Sequence, residues 1–164
     1  MSLLDDMRAS TEVLNRMIEE KRFTYASDPK EKMIPPSAKE PVPYLDFSKL
    51  QNAVAQLEKS AAAFSEQSKA ALGPAQLEQV NKLLYQAEQQ LMSDEGLPRR
   101  PWYKHTIYAP GFYTGYGVKT LPGVREAIEQ RDWNEAQAQI GIVATAIQKY
   151  TRQIERANQL MQTK

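Results

Sequence analysis

Residues 133–161 carry the pattern that most constrains this chain. Trp133, Ala136, Ile140, Val143, Ile147, Tyr150, Ile154, Ala157 and Met161 recur at spacings of three and four, which sets them on one face of an α-helix. About 30 residues at 1.5 Å each make roughly 45 Å of helix. Asp132-Trp-Asn-Glu135 supplies its start, since the aspartate can accept from the Glu135 amide while Glu135 reaches back, a capping box. The predicted helix is 132–162. Through Ile140-Gly-Ile-Val-Ala-Thr-Ala-Ile147 the apolar surface is wider than one stripe, so its middle must be covered on more than one side. Gly141 inside it costs about 1 kcal/mol relative to alanine, which a closely approaching neighbour offsets. The cover comes from other helices of the same chain or from a second chain.

Three earlier segments repeat the helical period. Leu4, Met7, Thr11, Leu14 and Ile18 predict a helix over 4–26. Asp46 offers a carboxylate to the first turn of a helix over 46–72, with Phe47, Leu50, Val54, Leu57, Ala61 and Phe64 on one face. Gly73-Pro74 reads as a left-handed stop followed by a restart, and Leu77, Val80, Leu84, Ala87 and Leu91 continue as a helix over 74–94. The short connection predicts that these two helices are antiparallel neighbours. Thr120 and Pro122 predict a short helix over 121–131. Residues 27–45, with Pro29, Pro35, Pro36, Pro41 and Pro43, read as a semi-extended connector. The fold class expected is all-α: an antiparallel four-helix-type bundle, with an additional short helix, in a single domain over 1–164.

Between the third and fourth helices lies a different kind of sequence. Residues 96–120 hold Trp102, Tyr103, Tyr108, Phe112, Tyr113 and Tyr116 among Pro110, Gly111, Gly115 and Gly117. Such a mixture supplies contact area and unusual backbone angles rather than a helical face. A loop of this length in a compact domain is functional or disordered, and its aromatic content argues for order. Two readings stand: the loop packs Trp102, Tyr108 and Phe112 beneath itself and caps the bundle, or it projects the hydroxyl of Tyr113 or Tyr116 at a ligand or partner.

The totals exclude several functions. Lys+Arg 21 against Asp+Glu 20 leaves a formal charge of +1, so no basic excess draws nucleic acid or an anionic membrane. No apolar run approaches a membrane span, and the N-terminus lacks the basic start and apolar core of a signal peptide. With no cysteine and a single histidine, thiolate chemistry is absent and a zinc site of the usual ligand set is not expected. The chain has neither a Gly-x-Ser-x-Gly elbow nor Glu-x-x-His pairs. No catalytic residue, metal ligand or cofactor is therefore assigned, and His105 reads as a structural, hydrogen-bonded residue.

The loop and the helices C-terminal to it resemble a known family. Gly96-Leu-Pro-Arg-Arg-Pro-Trp-Tyr-Lys-His-Thr-Ile-Tyr-Ala-Pro110, Tyr113-Thr-Gly-Tyr-Gly117, Leu121-Pro-Gly-Val-Arg-Glu-Ala-Ile128 and the long final helix are similar to the C-terminal part of the glutamate carboxypeptidase II and transferrin receptor family. Its members combine a zinc-peptidase-like domain, an inserted domain and a C-terminal helical dimerisation domain. The resemblance implies that this chain is the dimerisation domain alone, without the domain that holds zinc and the catalytic glutamate. It implies a homodimer and contact with the peptidase domain of the same parent. The role is self-association rather than peptide hydrolysis, in a parent that acts outside the cytoplasm, extracellular or periplasmic. In the family's peptidases a Lys-Tyr pair on this loop holds the carboxylate of the substrate's C-terminal residue. Tyr116 matches the tyrosine, whereas Gly115 stands where the lysine would be, which removes a charge-assisted contact. His105, Tyr108 and Gly115 are expected to support the loop. With dimerisation implied, Ile140, Gly141, Ile142, Val143 and Ile147 become the candidate interface. The alternative is an autonomous ligand-binding or enzymatic bundle with its pocket in the 101–120 loop.

Overall fold

The structure is a computed structural model that describes residues 2–26, 28, 30 and 34–162. It contains two compact units, residues 1–44 and 45–164.

In the first unit, Ser2 and Asp5 cap each other reciprocally at the start of helix α1 (Leu3–Glu19). The single helix expected over 4–26 is broken. Lys21 takes a left-handed conformation (φ 54°), and α2 (Arg22–Tyr25) is one further turn. The break follows a tightening in which the Lys21 amide donates to Ile18 rather than to a carbonyl four residues back. Of the proline-rich connector, residues 27, 29 and 31–33 lie outside the described residues. The remainder from 34 onward forms no helix or strand. Asn15 pins it by donating to the Lys39 carbonyl (2.7 Å) and accepting from the Lys39 amide (2.9 Å).

The second unit is built around the last helix. Helix α3 (Ser48–Gln67) starts where Asp46 accepts from the Ser48 amide at 2.8 Å. It ends five residues before Leu72, its last turn closed by tight bonds from Lys69 and Ala70. Gly73 is not a left-handed stop. It is extended (φ −63°, ψ 153°) and forms the N-cap of α4 (Pro74–Tyr85), with Pro74 in the first turn. The helix expected to run to 94 gives way to a 3-10 turn, Glu88–Leu91. Beyond it the backbone groups are taken up by the loop: Thr106 donates to the Leu91 carbonyl through both its amide and its hydroxyl, and the Ser93 amide donates to Lys104.

Helix α5 (Pro122–Glu129) is capped by no side chain. Leu121, left-handed at φ 49°, stands at its N-cap in place of the expected Thr120. In α6 (Trp133–Gln162) Asp132 accepts from the Glu135 amide at 2.9 Å as expected, but the Glu135 carboxylate turns away to Arg99. Half of the predicted capping box forms.

Helix α6 is the hub. Helices α3, α4 and α5 and the 3-10 turn each pack against it. The main partner of α3 and of α4 is therefore α6 rather than the other. Ile140, Val143, Ile147, Ile154 and four of its alanines are buried against Leu50 and Ala53 of α3, Val80 of α4 and Val124, Ala127 and Ile128 of α5. Two interior amides donate across to neighbouring helices: Asn158 Nδ2 to the Ser60 carbonyl (3.0 Å) and Gln153 Nε2 to the Leu83 carbonyl (3.2 Å).

Among the described residues of this unit the regular secondary structure is helical apart from one small antiparallel hairpin, which follows the irregular stretch 92–107. Strands β1 (Tyr108–Pro110) and β2 (Val118–Thr120) pair Tyr108 with Thr120, Ala109 with Lys119 and Pro110 with Val118. Strands of three residues are too short to show a period of two, which is why the sequence reads as an uninterrupted loop.

Candidate functional site

The loop is organised by a charge pair that helical periodicity hides. Gly96 (φ 72°) and Arg99 (φ 61°) turn the backbone through left-handed conformations, so that Arg99 and Arg100 point apart. Arg99 forms a two-point contact with Glu135 at the start of α6 (2.7 and 2.9 Å), and those hydrogen bonds raise its guanidinium pKa. Arg100 goes inward. Its Nη2 donates to both carboxylate oxygens of Glu126 (2.6 and 2.7 Å), with both side chains buried. Its Nη1 donates to the Pro110 carbonyl at the end of β1. Glu126 also accepts from the Phe112 amide at 2.9 Å. One buried carboxylate on α5 thus ties together the start of the loop, the end of β1 and the first residues of the hairpin tip.

Phe112 lies under both arginines, whose guanidinium carbons are 5.8 Å (Arg99) and 5.6 Å (Arg100) from its ring centre. The other aromatics are not packed beneath the loop. Trp102 (71 % exposed), Tyr113 (69 %) and Tyr108 (48 %) face outward, contrary to the expectation of a cap made of rings. The buried anchors are Leu97, Arg100, Thr106 and Ala109.

The hairpin tip, residues 111–117, is held by three backbone bonds. Gly111 donates to Gly117, Gly115 to Gly111 and Tyr116 to Thr114. Gly115 is left-handed (φ 64°) and has open space where a side chain would stand. Tyr116 follows and is fully exposed. His105 supports the base of the hairpin. Its Nδ1 accepts from the amides of Ile107 and Tyr108, both at 3.3 Å, and its ring lies 4.0 Å from that of Tyr108. Accepting at Nδ1 fixes the proton on Nε2, 3.7 Å from Glu88. Burial lowers the pKa of His105, opposed by the nearby Glu88 carboxylate. Tyr108 donates its hydroxyl to the same Glu88 at 2.7 Å, which raises its own pKa.

The five residues proposed on α6 divide. Ile140, Val143 and Ile147 are buried within the chain, their side chains spent on the core rather than free for a partner. Gly141 and Ile142 are partly exposed and line a groove of about 410 Å³ between α6 and the turn after the 3-10 segment. No atom lies within 4 Å of where a Gly141 Cβ would stand. The sequence identified the wide apolar surface, but only the packing tells its inner part from its outer.

Among the described residues no group of three or more His, Cys, Asp or Glu side chains could hold a metal ion. No helix among them is long and apolar enough to cross a membrane. The residues that sequence reasoning missed are Arg100 and Glu126. A lone Glu on a short amphipathic helix and one of two adjacent arginines give no periodic signal of mutual burial.

Comparison with known proteins gives a consistent result. The "Probable glutamate carboxypeptidase LAMP1" of Arabidopsis thaliana is 36% identical over 110 residues, which cover 63% of this chain and 16% of that protein. A "Probable glutamate carboxypeptidase" of Arthroderma benhamiae is 34% identical over 109 residues, 64% of this chain and 15% of that protein. An "Inactive zinc metalloprotease" of Schizosaccharomyces pombe is 29% identical over 79 residues, 48% of this chain and 10% of that protein. The chain therefore corresponds to a small fraction of each relative's length, 16% in the largest case. The family model described as "Transferrin receptor-like dimerisation domain" matches residues 45–155. This chain belongs to that family of dimerisation domains.

Proposed function

We propose that this chain joins two copies of a glutamate carboxypeptidase-like parent and that its hairpin holds Tyr116 out toward the parent's substrate site. Gly141 carries the first part. A glycine inside a helix costs about 1 kcal/mol against alanine. Nothing beyond its own helix comes within 4 Å of a Cβ at this position, so packing inside the chain does not explain the glycine. A partner seated against the backbone does. Membership of a dimerisation-domain family supports the same reading. Burial of the outer face at a two-fold interface supplies the driving force, at about 25 cal/mol per Å² of apolar surface before the cost of association is subtracted.

The second part rests on the full exposure of Tyr116 at the tip of an ordered hairpin. In the parent, a zinc-dependent peptidase whose metal ligands lie outside these residues, the hydroxyl would donate to the carboxylate of a substrate's C-terminal residue. Gly115 brings no cation, so that contact is a single neutral donor. The parent would work outside the cytoplasm.

Light scattering across a dilution series tests self-association. The expected mass is twice the 18.6 kDa of the chain, and a mass of one chain at all concentrations would refute it. In the parent, Tyr116→Phe is expected to raise KM with kcat little changed. An unaltered KM would remove Tyr116 from substrate binding.

A further inference from the structure

The groove beside Gly141 has lips of opposite charge. One wall is the turn that carries Asp94 and Glu95, and the other is α6 with Gly141, Ile142, Thr145 and Lys149. The carboxylates of Asp94 and Glu95 and the ammonium of Lys149 are exposed and take no side-chain partner among the described residues. Lys104 reaches this turn, but it donates to the Asp94 carbonyl (2.9 Å) and not to the carboxylate.

The order of contacts along α6 separates the two charges. Arg99 binds Glu135 at the start of α6, whereas Gln90 shares a cleft with Lys149 and Arg152, just past its midpoint. The segment 90–99 therefore runs antiparallel to α6, which brings residues 94–95 alongside the first half of the helix. Lys149 is eight residues beyond Gly141, about 12 Å along the axis.

This arrangement is complementary to itself. A two-fold axis perpendicular to α6 near Thr145 sets residue 149 of one helix over residue 141 of the other, beside the acidic wall. Every contact then occurs twice, as an isologous interface requires. We infer that the occupant of the groove is a second copy of this chain, crossing antiparallel at Thr145, with Lys149 of each copy facing Asp94 and Glu95 of the other. The small side of Gly141 admits the approach, and the paired charges fix register and orientation. The inference rests on the self-association proposed for this chain and adds the face and the register.

A charge swap tests it on the full chain. Lys149→Glu sets like charges together twice, and so does the double variant D94K/E95K. Each alone is expected to dissociate at concentrations at least tenfold above wild type, as read by sedimentation equilibrium. Mixed in equal amounts, the two variants are expected to form a one-to-one heterodimer, because both contacts are then attractive; that rescue also shows that the variants are folded. Variants that each dimerise as tightly as wild type would overturn the register and leave self-association standing. A wild-type chain that stays monomeric would overturn both.

Discussion

Glu126 and Arg100 show how much a single pair can organise. A buried carboxylate is tolerated only with its lone pairs satisfied, and here it accepts from Arg100 twice and from the Phe112 amide. Arg100→Met leaves that carboxylate buried and unpaired, and a loss of roughly 3–5 kcal/mol is expected in urea unfolding. A loss under 1 kcal/mol would mean that water reaches the pair. His105 gives a second expectation, in pH. Burial depresses its folded pKa below the usual value, so above that range both states are neutral and the full stability is present. As pH falls through the histidine range the unfolded chain takes up the proton first. Stability should therefore fall from pH 7.5 to 5.5, with a slope from this residue of at most about 1.4 kcal/mol per pH unit. His105→Asn, which can keep an acceptor near the two amides, should flatten that part of the urea midpoint against pH; an unchanged slope would assign it elsewhere. A hydrogen-bonded histidine was expected from its being the single histidine of the sequence. The ion pair was not, because a contact between positions 26 apart across an irregular loop leaves no period to read.

At the scale of elements, α6 was legible almost to the residue because its apolar positions keep the helical period over its whole length. The loop was legible as a place and not as a structure. Its strands are three residues each, and its turns depend on the left-handed Gly96, Arg99, Gly115 and Leu121, of which only the glycines are marked in the sequence. The two left-handed glycines separate cleanly. A Cβ at Gly96 would meet the Pro101 backbone oxygen at 2.2 Å, whereas one at Gly115 would meet nothing. Gly96→Ala should cost clearly more than the roughly 1–2 kcal/mol of left-handed strain expected for Gly115→Ala, as compared by thermal melting. Equal costs would show that the backbone at 96–101 adjusts. Tyr116→Ala should leave the melting temperature within a degree of wild type, since its side chain is fully exposed; marked destabilisation would make the tyrosine part of the core.

For the whole molecule, hydrophobic period told which residues share the apolar side of α6, but not what covers them. Ile140, Val143 and Ile147 are covered by the chain's own elements. Gly141 and Ile142 open onto the charged groove. The antiparallel neighbours expected in sequence became covers on a common hub, because short connections fix where helices begin and not which face of a longer helix they find. Association through the outer face of α6 is the central claim, and Gly141→Leu tests it most directly. The substitution removes a helix-interior glycine whose added Cβ would meet nothing within 4 Å, so helicity by circular dichroism should hold or rise. At the same time it fills the surface on which the proposed second copy would sit. Sedimentation equilibrium of wild type and G141L side by side should give a dimer for the first and a monomer for the second, at equal helicity. A G141L chain that dimerises as tightly as wild type would contradict the claim and move the interface to another face.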